Sequence, residues 1–230
     1  MFGDKYVNIV NQFIEYASNN PDIECCGVVV NNELIICKNI SKYPDREAIP
    51  CPIDLNNAED QGEIELFIHS HPNATATPSV EDIASCNKMM VPWVVVNIPF
   101  TEVRTIYPQE VPLIGREFVH GIYDCYTLVQ DYYKQTMEID LPEFKREDGW
   151  WDRGENLYLE NVYKEGFVDV TDIQIGDLIL MQIRSPVPNH GATYIGEGLI
   201  LHHLYGKLSK TDVYGGYWQK VTTKILRYKG

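Results

Sequence analysis

The stretch His69-Ser70-His71-Pro72, followed after six residues by Ser79 and three positions later by Asp82, closes an alternating run, Ile64-Glu65-Leu66-Phe67-Ile68. Alternation predicts a strand that ends on His69, and the period of two puts His69 and His71 on the same side of the extended chain. A helix beginning at Ser79 brings Asp82 across to them, giving a His2Asp set. Such a set is hard and nitrogen-rich enough for zinc (Zn2+) and leaves a fourth position open for water, as catalytic zinc requires. A zinc-bound water has its pKa lowered to about 7, yet a carboxylate is still wanted to carry its proton to the leaving amine. Glu24 is the candidate, whereas Glu63 and Glu65 lie on the strand that feeds the histidines and read as solvent-facing. A plainer reading stands beside this one. Histidines two apart are often solvated loop residues, and Ser79-x-x-Asp82 is also a helix N-cap with Asp in place of the usual Glu or Gln.

Outward from this stretch, Val7, Val10, Ile14 and Ala17 recur at spacings of three and four, which predicts an amphipathic helix over residues 4–18 with those residues inward. Cys26 to Val30 and Leu34 to Cys37 are apolar runs parted by Asn31-Asn32-Glu33, a hairpin signal. Residues 41–62 read as a polar, proline-bearing loop. Beyond the Ser79 helix, which extends to about Met90, residues 93–98 and 103–107 read as strands. The two prolines of Tyr107-Pro108-Gln109-Glu110-Val111-Pro112 place a domain boundary near 108–114, giving domains at residues 1–107 and 113–230.

With its flanks, this pattern resembles the JAB/MPN/JAMM metallopeptidases: His-Ser-His-Pro, Ser79 and Asp82 match their signature, and Pro21-x-x-Glu24-x-Cys26-Gly27 is similar to their catalytic-glutamate segment. The resemblance implies an N-terminal cytidine-deaminase-like α/β sandwich. It also implies zinc ligation by His69, His71 and Asp82, acid/base work by Glu24, and a share for Ser79 in holding the oxyanion.

In the second half, a helix over residues 124–137 holds Leu128, Val129 and Tyr132 on its core face, and strands are expected at 177–183, 190–195, 199–204 and 222–227. Helix first and strands after point to α+β segregation. Cys125 falls in the first helical turn, where the helix dipole favours a thiolate. His190 heads one strand and His202 nears the end of the next, so a hairpin at Gly196-Glu197-Gly198 brings them together. Thiolate, imidazole and an orienting third group are what acyl transfer through a thioester needs. Without the rest of the pattern, Cys125 reads first as a buried core residue and each histidine as a surface residue.

Asp124-Cys125-Tyr126-Thr127-Leu128-Val129, Ile175-Gly176-Asp177-Leu178, His190-Gly191-Ala192-Thr193-Tyr194-Ile195-Gly196 and His202 resemble, in order and spacing, the NlpC-type cell-wall peptidases. That resemblance implies a papain-like α+β domain that cuts peptidoglycan stem peptides, with Cys125, His190 and His202 catalytic. One departure stands out. The family's oxyanion tyrosine, about twelve residues before the cysteine, falls near Leu113, so the oxyanion needs Tyr123 or the backbone at Cys125. His203 reads as a bystander and His120 as a surface residue.

Nineteen Lys and Arg against 33 Asp and Glu give a formal charge of −14, which disfavours nucleic acid and anionic membranes. Six cysteines with no CxxC spacing indicate neither a disulfide framework nor a thiolate zinc site. No signal-peptide pattern or apolar run of about 20 residues is seen, so synthesis and retention in a host cytoplasm without membrane insertion are expected. The order of the two halves resembles the tail assembly proteins of long-tailed bacteriophages of the lambda type. This implies tail-tip partners and a wall-cutting domain carried out of the cell inside a particle. The alternative is a structural tail-tip subunit that keeps both folds with one or both sites idle.

Overall fold

The computed structural model describes residues 4–99 and 101–230, with the Asp4 side chain left out. The chain forms two compact units, Met1–Glu110 and Val111–Gly230. Among the described residues no helix is long and apolar enough to cross a membrane.

In the first unit, α1 spans Val7–Ser18 and buries Ile9, Val10, Phe13 and Ala17. The buried face is rotated from the expected one: Val7 is exposed, and Ile9 and Phe13 point inward instead. Strands β1 (Cys26–Val30) and β2 (Glu33–Cys37) are joined at Asn31-Asn32, both at positive φ. That is the mirror-image turn whose twist suits a two-residue hairpin. The segment expected to be loop contains α2 (Pro52–Glu59), a short helix with proline in its first turn and little amphipathic pattern to announce it. β3 (Ile64–Pro72) continues past His69 through both histidines, and α3 (Val80–Met89), β4 (Trp93–Ile98) and β5 (Val103–Ile106) follow.

The sheet order is β2-β1-β3-β4-β5, with β3 and β4 parallel and the other pairs antiparallel. Phe13 and its neighbours on α1 cover one face, packing on Val29, Leu66, Ile68, Val94 and Val96. On the other face Cys26, Val28, Phe67 and Trp93 meet Ala58 of α2 and Cys86 of α3. His69 and His71 share the parity of Phe67, so they emerge on the α2/α3 side.

In the second unit, α4 (Cys125–Tyr132) runs into a wider π turn at Tyr133–Met137. A 3-10 turn at Trp150–Arg153 and α5 (Leu157–Asn161) precede β6 (Phe167–Asp169), β7 (Leu178–Met181), β8 (His190–Gly196), β9 (Leu199–His202), β10 (Lys210–Val213), α6 (Tyr217–Val221) and β11 (Thr222–Tyr228). The antiparallel sheet runs β10-β9-β8-β7-β11-β6. Leu128, Val129, Tyr132 and Tyr133 pack on Leu178, Leu180 and Leu226, while Ile179, Met181, Ala192 and Ile200 line the opposite face. Tyr133 is fully buried, and its hydroxyl donates to the Gly176 carbonyl at 2.5 Å, which satisfies the one polar atom this large ring carries inward. β6, β10, α5 and α6 lie outside the sequence expectation, being too short to show a period.

Candidate active sites

The first site sits where β3 meets the start of α3. His69 is fully buried and His71 nearly so, and their Nε2 atoms are 3.1 Å apart. Asp82 completes a triangle: Oδ1 is 3.1 Å from His69 Nε2 and Oδ2 is 3.4 Å from His71 Nε2. Thr75 O lies 2.9 Å from His71 Nδ1, so Nδ1 donates there and Nε2 is the nitrogen that faces Asp82 and His69. Three atoms that can each donate an electron pair thus face one another.

Local chemistry explains why Asp82 points there. Ser79 is the N-cap of α3: its hydroxyl oxygen accepts from Asp82 N at 3.0 Å, and Ser79 N donates to Asp82 Oδ2 at 2.7 Å, a reciprocal capping box. The cap reading is therefore realised by the same carboxylate that faces the two histidines. Burial opposes the Asp82 charge, but hydrogen bonds from His69 and His71 hold its carboxyl well below the usual range. At His71 burial likewise works against the charge, yet Asp82 and the Thr75 carbonyl prevail and raise its pKa.

Glu24 lies one residue before β1, whose Cys26 is in register with His69. Cys25 and Ser70 exchange two hydrogen bonds of 2.9 and 3.0 Å that fix this crossing. A carboxylate oxygen of Glu24 thereby comes within 4.8 Å of both histidine nitrogens. Burial, and then the nearby carboxylates of Asp82, Glu47 and Asp45, push the Glu24 carboxyl up to about 7 against the opposing pull of His71. Glu65 instead points away, bonded to Lys5 and Tyr6.

In the second unit Asp124 caps α4, accepting from Tyr126 N at 2.9 Å and Thr127 N at 3.0 Å. Arg146 grips the same carboxylate at 2.9 and 3.2 Å, so Cys125 begins a helix clamped at its first residue. Cys125, His190 and Arg146 line one cleft of about 190 Å³ with Trp150, Trp151 and Phe144. The thiol is pushed up by burial and by the Asp124 charge, which outweigh the contributions of Tyr158, Gly191 and Arg146. Burial first, and then the Asp124 carboxylate at the N-cap, work against the thiolate that the helix dipole favours.

His190 Nε2 is 3.1 Å from His202 Nδ1, and His202 Nε2 is 3.1 Å from Asp212 Oδ2. Proton positions follow from this chain. Asp212 can only accept, so His202 carries its proton on Nε2. His202 Nδ1 then accepts from His190 Nε2, and His190 Nδ1 is left bare for the cleft. Burial, with help from His202 and His203, drives the His190 pKa down to about 3, so the imidazole is neutral. Trp218 stands edge-on to His202, with ring centroids 4.6 Å apart.

Two residues at this site escaped sequence reasoning. Asp212 lies on β10, where Lys210-Thr211-Asp212-Val213 gives no strand signal, although its pairing with β9 places it beside His202. Tyr158, in the aromatic stretch after Trp150-Trp151, brings its hydroxyl to 3.3 Å from Cys125 Sγ. Tyr123 does not line the cleft; it is buried with the Arg116 guanidinium 4.9 Å from its ring centroid. Leu113 packs on the core. His203 is buried against Phe118 and accepted by the Lys207 carbonyl, and His120 is engaged with the Arg146 carbonyl at the cleft.

Comparisons with known proteins agree with this layout. Residues 7–107 match the prokaryotic homologs of the JAB domain, and residues 115–227 match the NlpC/P60 family. The protein is therefore a mixed α and β chain of two domains, JAB-type first and NlpC/P60 second. Tail tip assembly protein K of Escherichia phage N15 is 38% identical over 96% of this chain and 94% of its own length. The protein of that name from Escherichia phage lambda is 39% identical over 77% of this chain and 88% of its own length. The chain belongs to the tail tip assembly protein K family. A crystal structure of a JAB1/MPN domain protein from Archaeoglobus fulgidus is 15% identical and covers 43% of this chain and 82% of that one, at a TM-score of 0.30.

Proposed function

We propose that this is a phage tail-tip assembly protein with two amide-hydrolysing sites, a zinc metallopeptidase site in the first unit and a cysteine endopeptidase site in the second. The carrying observation is the triangle of His69, His71 and Asp82 with Glu24 beside it. Its edges of 3.1, 3.1 and 3.4 Å fit a tetrahedral zinc shell, in which bonds of about 2.0–2.1 Å put ligand atoms about 3.3 Å apart. Zinc held there supplies Lewis acidity for an amide carbonyl and for water. Glu24, buried and easily protonated, takes the water's proton and hands it to the leaving nitrogen. The Ser79 hydroxyl accepts from Asp82 N, which leaves its own hydrogen for a developing oxyanion.

In the second unit the Cys125 thiol passes its proton to His190 Nδ1 and attacks an amide carbonyl. The carbon–sulfur bond forms as the carbon–nitrogen bond breaks. The imidazolium protonates the departing amine, and water then hydrolyses the thioester. The substrate class is the peptidoglycan stem peptide, and the partners are other tail-tip proteins, met during assembly in the host cytoplasm and retained at the virion tail tip.

The test has two parts. Elemental analysis is expected to find about one zinc per chain, lost in His69→Ala and Asp82→Ala. Muropeptide digestion is expected to need Cys125 and to stop in Cys125→Ala. A zinc-free wild type, even after reconstitution, sinks the metallopeptidase reading.

A specific observation favours a second reading for the second unit. Burial and the Asp124 charge work against a Cys125 thiolate, and burial works against a His190 imidazolium, so both charged forms that the attack needs are disfavoured. A chain that cuts no stem peptide yet docks on tail proteins is a structural tail-tip subunit with that site idle.

A further inference from the structure

We infer that Tyr158 is a catalytic residue of the second site, whose hydroxyl donates a hydrogen bond to the Cys125 sulfur once the thiol has lost its proton. The inference rests on the cysteine-peptidase reading and adds a residue to it.

The geometry comes from three elements. Cys125 Sγ lies 3.3 Å from the Tyr158 hydroxyl oxygen, a normal separation for a hydrogen bond to sulfur. Tyr158, on α5, is 6% exposed, and among the described residues this sulfur is its hydroxyl's hydrogen-bond partner. A buried hydroxyl is costly unless paired, so the contact has an energetic reason to persist. The ring is fixed edge-on by Trp150 and Tyr126, with centroids 6.0 and 6.2 Å away. On β8, Gly191 makes room: a Cβ there would stand 2.8 Å from the Tyr158 oxygen. Gly191 has no positive φ to explain it, so close approach of the tyrosine is the reason a side chain is absent.

The chemistry gives this placement its purpose. Attack requires a thiolate, and burial together with the Asp124 carboxylate works against one. A sulfur anion can only accept, so the contact then has one polarity, with Tyr158 O–H as donor. The Tyr158 hydroxyl is itself pushed well above its ordinary pKa by burial and by the neighbouring sulfur, and keeps its proton throughout. The proton leaving sulfur goes to His190 Nδ1. Tyr158 transfers none and stabilises the anion by hydrogen bonding alone.

Three proteins test this: wild type, Tyr158→Phe, which keeps the ring and its packing, and Gly191→Ala, which keeps the tyrosine but crowds its oxygen. Iodoacetamide labelling of Cys125 is followed by peptide mass spectrometry from about pH 6 to about pH 11.5, with urea midpoints to establish folding. Both variants are expected to move the labelling midpoint upward by about one unit and to slow labelling at neutral pH about tenfold. An unchanged midpoint in folded Tyr158→Phe overturns the assignment, even if muropeptide cleavage falls. A shifted midpoint in a chain whose wild type cuts no stem peptide upholds the hydrogen bond to the sulfur anion and removes the peptidase reading together with the catalytic role that rests on it. Cleavage by wild type with no midpoint shift does the reverse.

Discussion

At Asp124 a single carboxylate caps α4 and neutralises Arg146, with both groups withdrawn from water. Breaking a buried pair from one side leaves an uncompensated charge, so Arg146→Ala is expected to destabilise the second unit by about 3–5 kcal/mol, measured by urea unfolding. His190 sets a pH dependence. Its folded pKa of about 3 lies below the 6.5 of a free imidazole, so the unfolded chain takes up the proton first. The associated stability is complete above pH 6.5 and declines by about 1.4 kcal/mol per unit as pH falls toward 3. His202 and His203 shift in the same direction. Urea midpoints at pH 7 and pH 5, read by tryptophan fluorescence in a Trp93→Phe background, should show the decline in His190 protein and a shallower one in His190→Gln. Spacing in the sequence foretells which side chains meet where it encodes geometry, as with His69, His71 and Asp82. It fails at Tyr158 and Asp212, which reach their sites through pairing and packing between segments with no shared spacing.

At the scale of elements, the cap of α3 is also the support of the histidine pair. Ser79→Ala removes one cap hydrogen bond and is expected to cost about 1 kcal/mol in the first unit's stability. By loosening Asp82 it should also weaken zinc binding about 10- to 100-fold, measured by chelator competition. A loss of stability with unchanged affinity would separate the two roles. Strands with long apolar runs, such as β1 and β4, are legible in the sequence because each is buried on both faces and reads as a continuous hydrophobic segment. The helix α2 is not, since only Ala58 among its residues is buried and no stripe is written into it. In α1 a stripe is present, but its buried members are Ile9, Val10, Phe13 and Ala17, clustered with Leu66 and Val94, and Val7 is left exposed.

Taken whole, the molecule holds separate cores in its two units, and they differ in charge. Residues 1–110 carry 16 Asp and Glu against six Lys and Arg, while the remainder carries 17 against 13. Salt should therefore stabilise the first unit more than the second, because screening relieves its greater self-repulsion. A core truncation in the second unit, Leu180→Ala, is expected to cost that unit about 2–5 kcal/mol while the zinc content of the chain is unchanged. Metal loss in that variant would show that the units do not fold separately.

The reciprocal bonds between Ser79 and Asp82 carry one more consequence. The carboxylate that reaches His69 and His71 also holds the opening amide of α3, so an ion at the triangle acts as a nail through the first turn of that helix. Deuterium uptake at the backbone amide of Ser79, which donates to that carboxylate, should slow when zinc is added and quicken under a chelator, making this helix turn a built-in gauge of site occupancy that needs no substrate.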